Sequence, residues 1–180
     1  MSEMLLIVSQ IIGLTAVGLY LLSYQLKKRK HIVWVTCISN ALYVLQYVLL
    51  GAFSGAVMDF MSTVSSFFAA KKNDPVFKKH AKWLAASNMI AITAIGLVSA
   101  TIQREWIELL PIAGALFQTI GLWCDDEQTI RKFGLCSAPF WLIYNYISQA
   151  YGASLGSVIA IVSIIVAMIR YRKKDETAAQ

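Results

Sequence analysis

The charged residues of this chain are grouped into short islands, and long apolar segments separate them. The islands are 27–30, 71–82, 104–108, 125–132 and 170–176. The shorter apolar segments are 4–26, 83–103 and 109–124. Each is close to the roughly 20 residues that a helix needs to cross the hydrocarbon core of a bilayer. The pattern therefore predicts transmembrane helices.

Two further apolar segments, 31–70 and 133–169, are nearly twice that length. Each has a glycine near its middle, Gly51 and Gly152, so we interpret each segment as two helices joined by a tight turn. The pattern as a whole predicts an all-α membrane protein with seven transmembrane helices, forming a single integral domain over 1–180.

Composition excludes the class of soluble single domains. Hydrophobic residues make up 58% of the 180-residue chain and charged residues only 14%, against about 25% charged in an ordinary soluble domain. The net charge is +6. With the N-terminus outside and the C-terminus cytoplasmic, 15 of the 16 lysines and arginines are cytoplasmic and only Arg104 is external, as the positive-inside rule requires. The expected partner of these charges is the lipid bilayer and not a nucleic acid.

An internal repeat is the next feature of the chain. Superposing the first three predicted helices on the last three at an offset of 101 residues places Gly51 on Gly152 and Tyr43 on Tyr144. This offset predicts a 3+1+3 arrangement of two parallel three-helix repeats. Their ranges are 4–72 for the first repeat, 83–103 for the linking helix and 109–173 for the second repeat.

Asp59 is the charged side chain that lies inside a predicted span. At a rise of about 1.5 Å per residue it lies roughly 12 Å below Gly51, near the midplane. An ionised carboxylate there costs at least a few kcal/mol, which makes Asp59 a candidate for ligand binding or proton coupling. The alternative is a protonated or hydrogen-bonded acid that holds two helices together.

Trp141 also lies at mid-depth, whereas the other four tryptophans are close to charge islands. At the offset of 101 its partner is Asn40, so Asn40, Asp59 and Trp141 are predicted to converge on a substrate site. Asn145 and Ser157 are the further candidates for that site. Packing of Trp141 and an interhelical hydrogen bond from Asn40 are the alternatives.

Two prolines, Pro111 and Pro139, lie in predicted helices and are hinge candidates, although membrane helices also tolerate proline without any hinge. Residues 152–156 match the G-x-S-x-G pattern of hydrolases, but that motif needs a strand-to-helix turn, which this segment does not predict. We therefore expect no enzyme activity, no cofactor and no metal site.

The topology, the segment from Tyr43 to Val57 with its repeat, and the run from Cys136 to Trp141 resemble the SWEET and PQ-loop superfamily of carriers. Within it, residues 4–173 are similar to the YgjV-type bacterial inner-membrane proteins. The resemblance implies a bacterial inner-membrane location. It also implies a central pocket in which Asn40, Trp141 and Asp59 take the positions of substrate-binding residues, while Ala160 replaces an asparagine.

These features predict a transporter that moves a small polar metabolite, either sugar-like or cationic and proton-coupled, by alternating access at a central site. The alternative is a non-transporting membrane receptor or assembly factor on the same fold. The sequence leaves a homo-oligomer open.

Overall fold

The computed structural model describes residues 3–178, apart from the side chains of 103 and 172–178, and this part of the chain is all-helical. The helices are α1 (Glu3–Gln25), α2 (Arg29–Leu50), α3 (Phe53–Lys71), α4 (Pro75–Lys78), α5 (Ala81–Gln103), α6 (Leu109–Trp123), α7 (Glu127–Ile147) and α8 (Tyr151–Ala178). A 3-10 turn, Trp106–Glu108, directly precedes α6.

Five of the helices are long and apolar enough to cross a membrane: α1, α2, α5, α8, and α6 together with its 3-10 turn. The other two long helices, α3 and α7, contain more polar residues. On α3 these residues include Asp59, Ser62 and Ser66, all of which are buried against other helices. The polar face of α3 therefore lies inside the helix bundle.

The helices pack as two sets of three. In the first helix set α1 packs on α2 and α2 on α3, and in the second helix set α6 packs on α7 and α7 on α8. The two sets meet through α1 against α8 and through α3 against α6, while α5 packs on α3 and α6. Helix α1 of the first set is equivalent to α6 of the second, and α3 is equivalent to α8. The contact of α1 with α8 is therefore equivalent to the contact of α6 with α3, as expected when two halves are related by a two-fold axis.

Three helix boundaries in the two sets correspond at a spacing of 98 residues, and the ends of α2 and α7 are 97 residues apart. The corresponding residues are Gln25 and Trp123, Arg29 and Glu127, and Phe53 and Tyr151. The connections that follow α2 and α7 also match. Gly51 and Gln149, again 98 residues apart, both adopt the left-handed backbone conformation, with φ of 72° and 59°.

The predicted offset of 101 residues is therefore wrong by three. Gly51 ends α2, whereas Gly152 lies in the first turn of α8, where its N–H donates to the side-chain oxygen of Gln10 at 3.1 Å. The two glycines have different structural roles, and matching them shifted the alignment by nearly one helical turn. At the correct spacing, Trp141 corresponds to Tyr43 and not to Asn40.

Candidate functional site

A polar pocket lies between the two helix sets and receives residues from both. The space between atoms in the pocket and at its opening is about 410 Å³, a figure that includes open solvent. Ten of its eleven lining residues form five pairs at the spacing of 98: Tyr20 and Gln118, Asn40 and Ala138, Tyr43 and Trp141, Tyr47 and Asn145, and Asp59 and Ser157. The eleventh is Ala160. Corresponding positions thus face one shared cavity.

All five residues predicted for a substrate site line this pocket: Asn40, Asp59, Trp141, Asn145 and Ser157. Three tyrosines that were not among the predicted site residues also line the pocket: Tyr20, Tyr43 and Tyr47. The available signal was that each tyrosine is an amphipathic residue inside a predicted span, and this fits packing as well as binding. The incorrect repeat offset hid the equivalence of Tyr43 with Trp141.

Asp59 lies in the second turn of α3 and is 3% exposed. Gly55, one turn earlier, brings α3 close to α7: its N–H donates to the Tyr144 hydroxyl at 2.9 Å. A Cβ at Gly55 would lie 2.7 Å from the Tyr144 ring, so only glycine permits this approach. Among the described residues, no hydrogen bond or ion pair reaches the Asp59 carboxylate. The carboxylate therefore lines the pocket without a partner.

Three aromatic rings are stacked in series along the pocket. The Tyr43 and Tyr47 rings have centroids 6.2 Å apart and planes inclined by 21°. The Tyr47 and Trp141 centroids are also 6.2 Å apart, with planes inclined by 16°. Gly114 on α6 makes room for the indole, because a Cβ there would lie 2.7 Å from the Trp141 Nε1.

The neutral polar groups of the pocket are largely paired with one another. Tyr47 donates a hydrogen bond to the side-chain oxygen of Asn145, whose Nδ2 donates to the Ser157 hydroxyl at 3.3 Å. Gln118 donates through Nε2 to Asn40 Oδ1 at 3.0 Å. This bond joins α2 to α6. Asn40 therefore forms an interhelical hydrogen bond and also lines the pocket.

At one end of the bundle, an arginine of each helix set donates hydrogen bonds to the other set. This end carries the charge islands 27–30 and 125–132, and we call it the basic end. Arg131 on α7 donates to the Tyr24 and Leu26 carbonyl oxygens that end α1, at 3.2 and 3.0 Å. Reciprocally, Arg29 on α2 donates to the carbonyl oxygens that end α6, those of Leu122 and Cys124, each at 2.7 Å. Guanidinium groups here neutralise the negative ends of two helix dipoles.

Two more contacts at the basic end correspond at the spacing of 98. Gln25 Nε2 donates to Ser163 Oγ, and Trp123 Nε1 donates to Ser65 Oγ, each at 2.9 Å. These bonds join α1 to α8 and α6 to α3. Together with the arginine contacts they close the basic end with polar interactions between the two sets.

Lys72 adds an ion pair at the basic end. Its Nζ lies 2.6 Å from an Asp125 carboxylate oxygen and donates to the Trp123 carbonyl oxygen, also at 2.6 Å. The hydrogen bond from Lys72 lowers the pKa of Asp125 below its ordinary value. The connection after α6 is therefore attached to the end of α3.

The two prolines have different environments. Pro111 lies in the first turn of α6, where backbone N–H groups have no intrahelical acceptor, so its ring interrupts no hydrogen bond there. Pro139 lies inside α7, where it removes the bond to the carbonyl four residues earlier. A hinge is mechanically easier at Pro139, and hinge motion at either position stays a prediction.

Among the residues that the structure describes, no three or more His, Cys, Asp or Glu side chains are grouped so that they could hold a metal ion.

Comparisons with known proteins identify a family. The Imp-YgjV family model, described as a bacterial inner membrane protein, matches residues 7–175. Neither the curated proteins nor the solved structures contain a significant match to the chain. The matched range covers nearly the whole chain and agrees with the five apolar helices. This chain is therefore a bacterial inner-membrane protein and belongs to the Imp-YgjV family.

Proposed function

We propose that this protein is a carrier, and not an enzyme, that moves a small polar metabolite across the inner membrane by alternating access. The observation that carries the proposal is the pocket between the two helix sets, in which five pairs of corresponding residues face one cavity. A site shared by two related halves is the usual place for substrate in carriers built from repeats, because rocking of the halves exposes it to either side.

The membrane arrangement that goes with this function has seven crossing helices: two parallel three-helix repeats and α5 as the linking helix. Crossing by α3 and α7 is supported by the burial of their polar residues, such as Asp59 and Asn145, against other helices. Polar side chains of membrane-spanning helices almost always face the interior of the bundle or a cavity and not the lipid. The N-terminus is outside and the C-terminus cytoplasmic, since this orientation puts the basic end in the cytoplasm.

The resemblance to SWEET and PQ-loop carriers is consistent with this arrangement. Asn40, Trp141 and Asp59 occupy the positions that the resemblance implies for substrate binding, and the three residues line one pocket. Ser157, and not Ala160, corresponds to Asp59 at the spacing of 98. The site therefore has a carboxylate on one side and a hydroxyl on the other, which makes the two halves chemically different.

Alternating access requires the closed basic end to open. The Arg29 and Arg131 contacts with helix-end carbonyls would break when the two helix sets separate there. In this mechanism Arg29 and Arg131 are gate residues, that is, residues whose hydrogen bonds keep the basic end closed. Proton coupling, if present, uses Asp59, because it is the titratable carboxylate in the pocket.

Transport in reconstituted liposomes tests the function. Purified protein in vesicles is assayed for uptake of a panel of radiolabelled sugars, amino acids and amines, with empty vesicles as the blank. We expect saturable uptake of at least one solute, and loss of that uptake in Trp141→Ala. Trp83→Ala, which alters an indole that is 78% exposed at the start of α5, is the matched control.

Uptake by wild-type protein that equals the blank for every solute would contradict the carrier proposal. Stoichiometric co-purification of another protein in that case would favour the receptor or assembly-factor alternative. The orientation is tested separately by fusing residue 180 to a fluorescent protein that becomes fluorescent only in the cytoplasm. Fluorescence supports a cytoplasmic C-terminus. A fusion that is inserted in the membrane and is not fluorescent contradicts it.

A further inference from the structure

We propose that the pocket binds a small organic cation, with its positive charge held between the Asp59 carboxylate and the aromatic side chains of Tyr43, Tyr47 and Trp141. The inference rests on the proposed function, since it concerns the ligand of the same pocket, and it narrows the ligand from a polar metabolite to a compact ammonium compound.

The first argument is the charge balance of the pocket. Asp59 is 3% exposed, and among the eleven lining residues there is no lysine, arginine or histidine. No described group donates a hydrogen bond to its carboxylate. A buried ionised carboxylate without a partner is strongly unfavourable. A cationic ligand supplies the missing positive charge, whereas with a neutral ligand the carboxylate can be compensated only by binding a proton.

The second argument is the aromatic stack beside the carboxylate. The rings of Tyr43, Tyr47 and Trp141 follow one another with centroid spacings of 6.2 Å. Aromatic faces carry negative electrostatic potential, and indole attracts cations more strongly than phenol or benzene does. A carboxylate combined with several aromatic rings is suited to an ammonium group, particularly one whose substituents make its surface partly apolar.

The third argument is that the amide side chains of the pocket are already engaged. Asn40 is bonded to Gln118, and Asn145 is bonded to both Tyr47 and Ser157. A sugar would need these amides for its hydroxyl groups and would have to break their mutual bonds. A cation makes no such demand, because its main partner, the Asp59 carboxylate, has no hydrogen-bond partner among the described residues, as is also true of the Trp141 indole N–H.

Pairs of ligands with the same shape and different charge isolate the contribution of the charge. Thermal unfolding of the purified protein in detergent at about pH 7.5 is followed with choline and with its carbon isostere dimethylbutanol. Ethanolamine and ethylene glycol form a second pair, and glucose serves as the hydroxyl-rich probe. We expect at least one of the two cations to raise the melting temperature in a saturable manner, and its neutral counterpart to have no effect at the same concentration.

Variants then assign the charge to Asp59. Replacing it in Asp59→Asn should weaken binding of that cation by about 10-fold or more, because the electrostatic attraction between the carboxylate and the ammonium group is lost. Glu105→Gln removes an exposed carboxylate outside the pocket and should leave the affinity unchanged. Should Asp59→Asn not fold, Tyr43→Leu is the second variant, with an expected loss of about 3-fold or more from the missing ring face.

The outcomes separate this inference from the carrier function. Equal stabilisation by a cation and its neutral isostere, or no stabilisation by either cation, would overturn the cation assignment. Binding of glucose alone, combined with Trp141-dependent transport of a sugar, would overturn it while leaving the carrier proposal intact. Cation binding without any transport in vesicles would support the ligand class and contradict the carrier.

Discussion

Tyr47 and Asn145 correspond to each other at the spacing of 98 residues, and the Tyr47 hydroxyl donates a hydrogen bond directly to the Asn145 side-chain oxygen. Corresponding residues can touch only where the two halves of a molecule meet at their symmetry axis. Tyr47 is 1% exposed and Asn145 3%. This bond therefore joins the two helix sets at the centre of the bundle, inside the pocket.

Removing that hydroxyl should cost stability. In Tyr47→Phe the Asn145 oxygen loses its donor in a buried environment, and we expect a loss of about 0.5–2 kcal/mol in the free energy of unfolding. Detergent-mediated unfolding followed by circular dichroism measures it. The control is Tyr146→Phe, which removes the same atom from a side chain that is 66% exposed. Equal losses in the two variants would show that the bond contributes nothing.

Gly114→Ala should displace the Trp141 indole. The added Cβ would lie 2.7 Å from Nε1 and 2.9 Å from Cδ1 of a rigid ring that is only 8% exposed. Overpacking of this kind costs about 1–3 kcal/mol, and any ligand binding that uses the indole should weaken. In the control Gly18→Ala, a Cβ has no neighbour within 4 Å. An unchanged melting temperature and affinity in Gly114→Ala would contradict the close packing.

The left-handed residue after α7 offers a stabilising substitution. Gln149 has φ of 59°, a conformation that disfavours residues with a Cβ by roughly 1–2 kcal/mol. Glycine adopts this conformation without that penalty, as Gly51 does at the corresponding position. Gln149→Gly should therefore raise the free energy of unfolding by up to about 1 kcal/mol. The reverse change, Gly51→Ala, should lower it. Shifts of the same sign in the two variants would refute this explanation.

The reciprocal arginines should control access to the basic end. Arg29 donates to the Cys124 carbonyl oxygen, and Arg29→Lys cannot reproduce its several directed bonds. In a background where Cys37 and Cys136 are replaced by alanine, we expect Arg29→Lys to increase the rate of maleimide labelling of Cys124 several-fold. Lys30→Gln removes an exposed neighbouring charge and is the control. A labelling rate unaffected by Arg29→Lys would exclude it as a gate residue.

The ion pair between Lys72 and Asp125 should make stability depend on pH in the acid range. The lowered pKa of Asp125 means that its carboxylate stabilises the fold above the ordinary value of about 3.9, and that this stabilisation disappears as the pH falls through the folded-state pKa. We expect Asp125→Asn to be less stable than wild type at pH 7 and equal to it at the acid limit. Only a small difference is expected, because the Asp125 side chain is 83% exposed.

Asp74→Asn is the control for that experiment, since Asp74 is exposed and forms no ion pair with the side chains that the structure describes. A constant stability difference between wild type and Asp125→Asn from pH 7 to the acid limit would show that the pair with Lys72 is not responsible.

Much of the site could be predicted from local properties. Asp59 and Trp141 are unusual residues at their depth in an apolar segment, and the cost of a buried charge identifies the first without knowledge of its neighbours. The prediction of Asn40 rested on the incorrect offset of 101, and the residue nevertheless lines the pocket through its bond to Gln118. The tyrosines were missed because a tyrosine inside a span has no distinctive cost and packs as readily as it binds.

The sequence by itself determined the membrane class and the helix segments, because transfer of apolar side chains into lipid is a local property that sums along the chain. It did not determine the correspondence between the halves. Identical glycines suggested an offset of 101 residues between the halves. In the structure the offset is 98, so that Trp141 corresponds to Tyr43 and Ser157 corresponds to Asp59. Only the tertiary structure could decide this register, because the register depends on which helix faces are in contact. Matching glycines cannot decide it, since glycine permits both a turn, as at Gly51, and a close helix contact, as at Gly152.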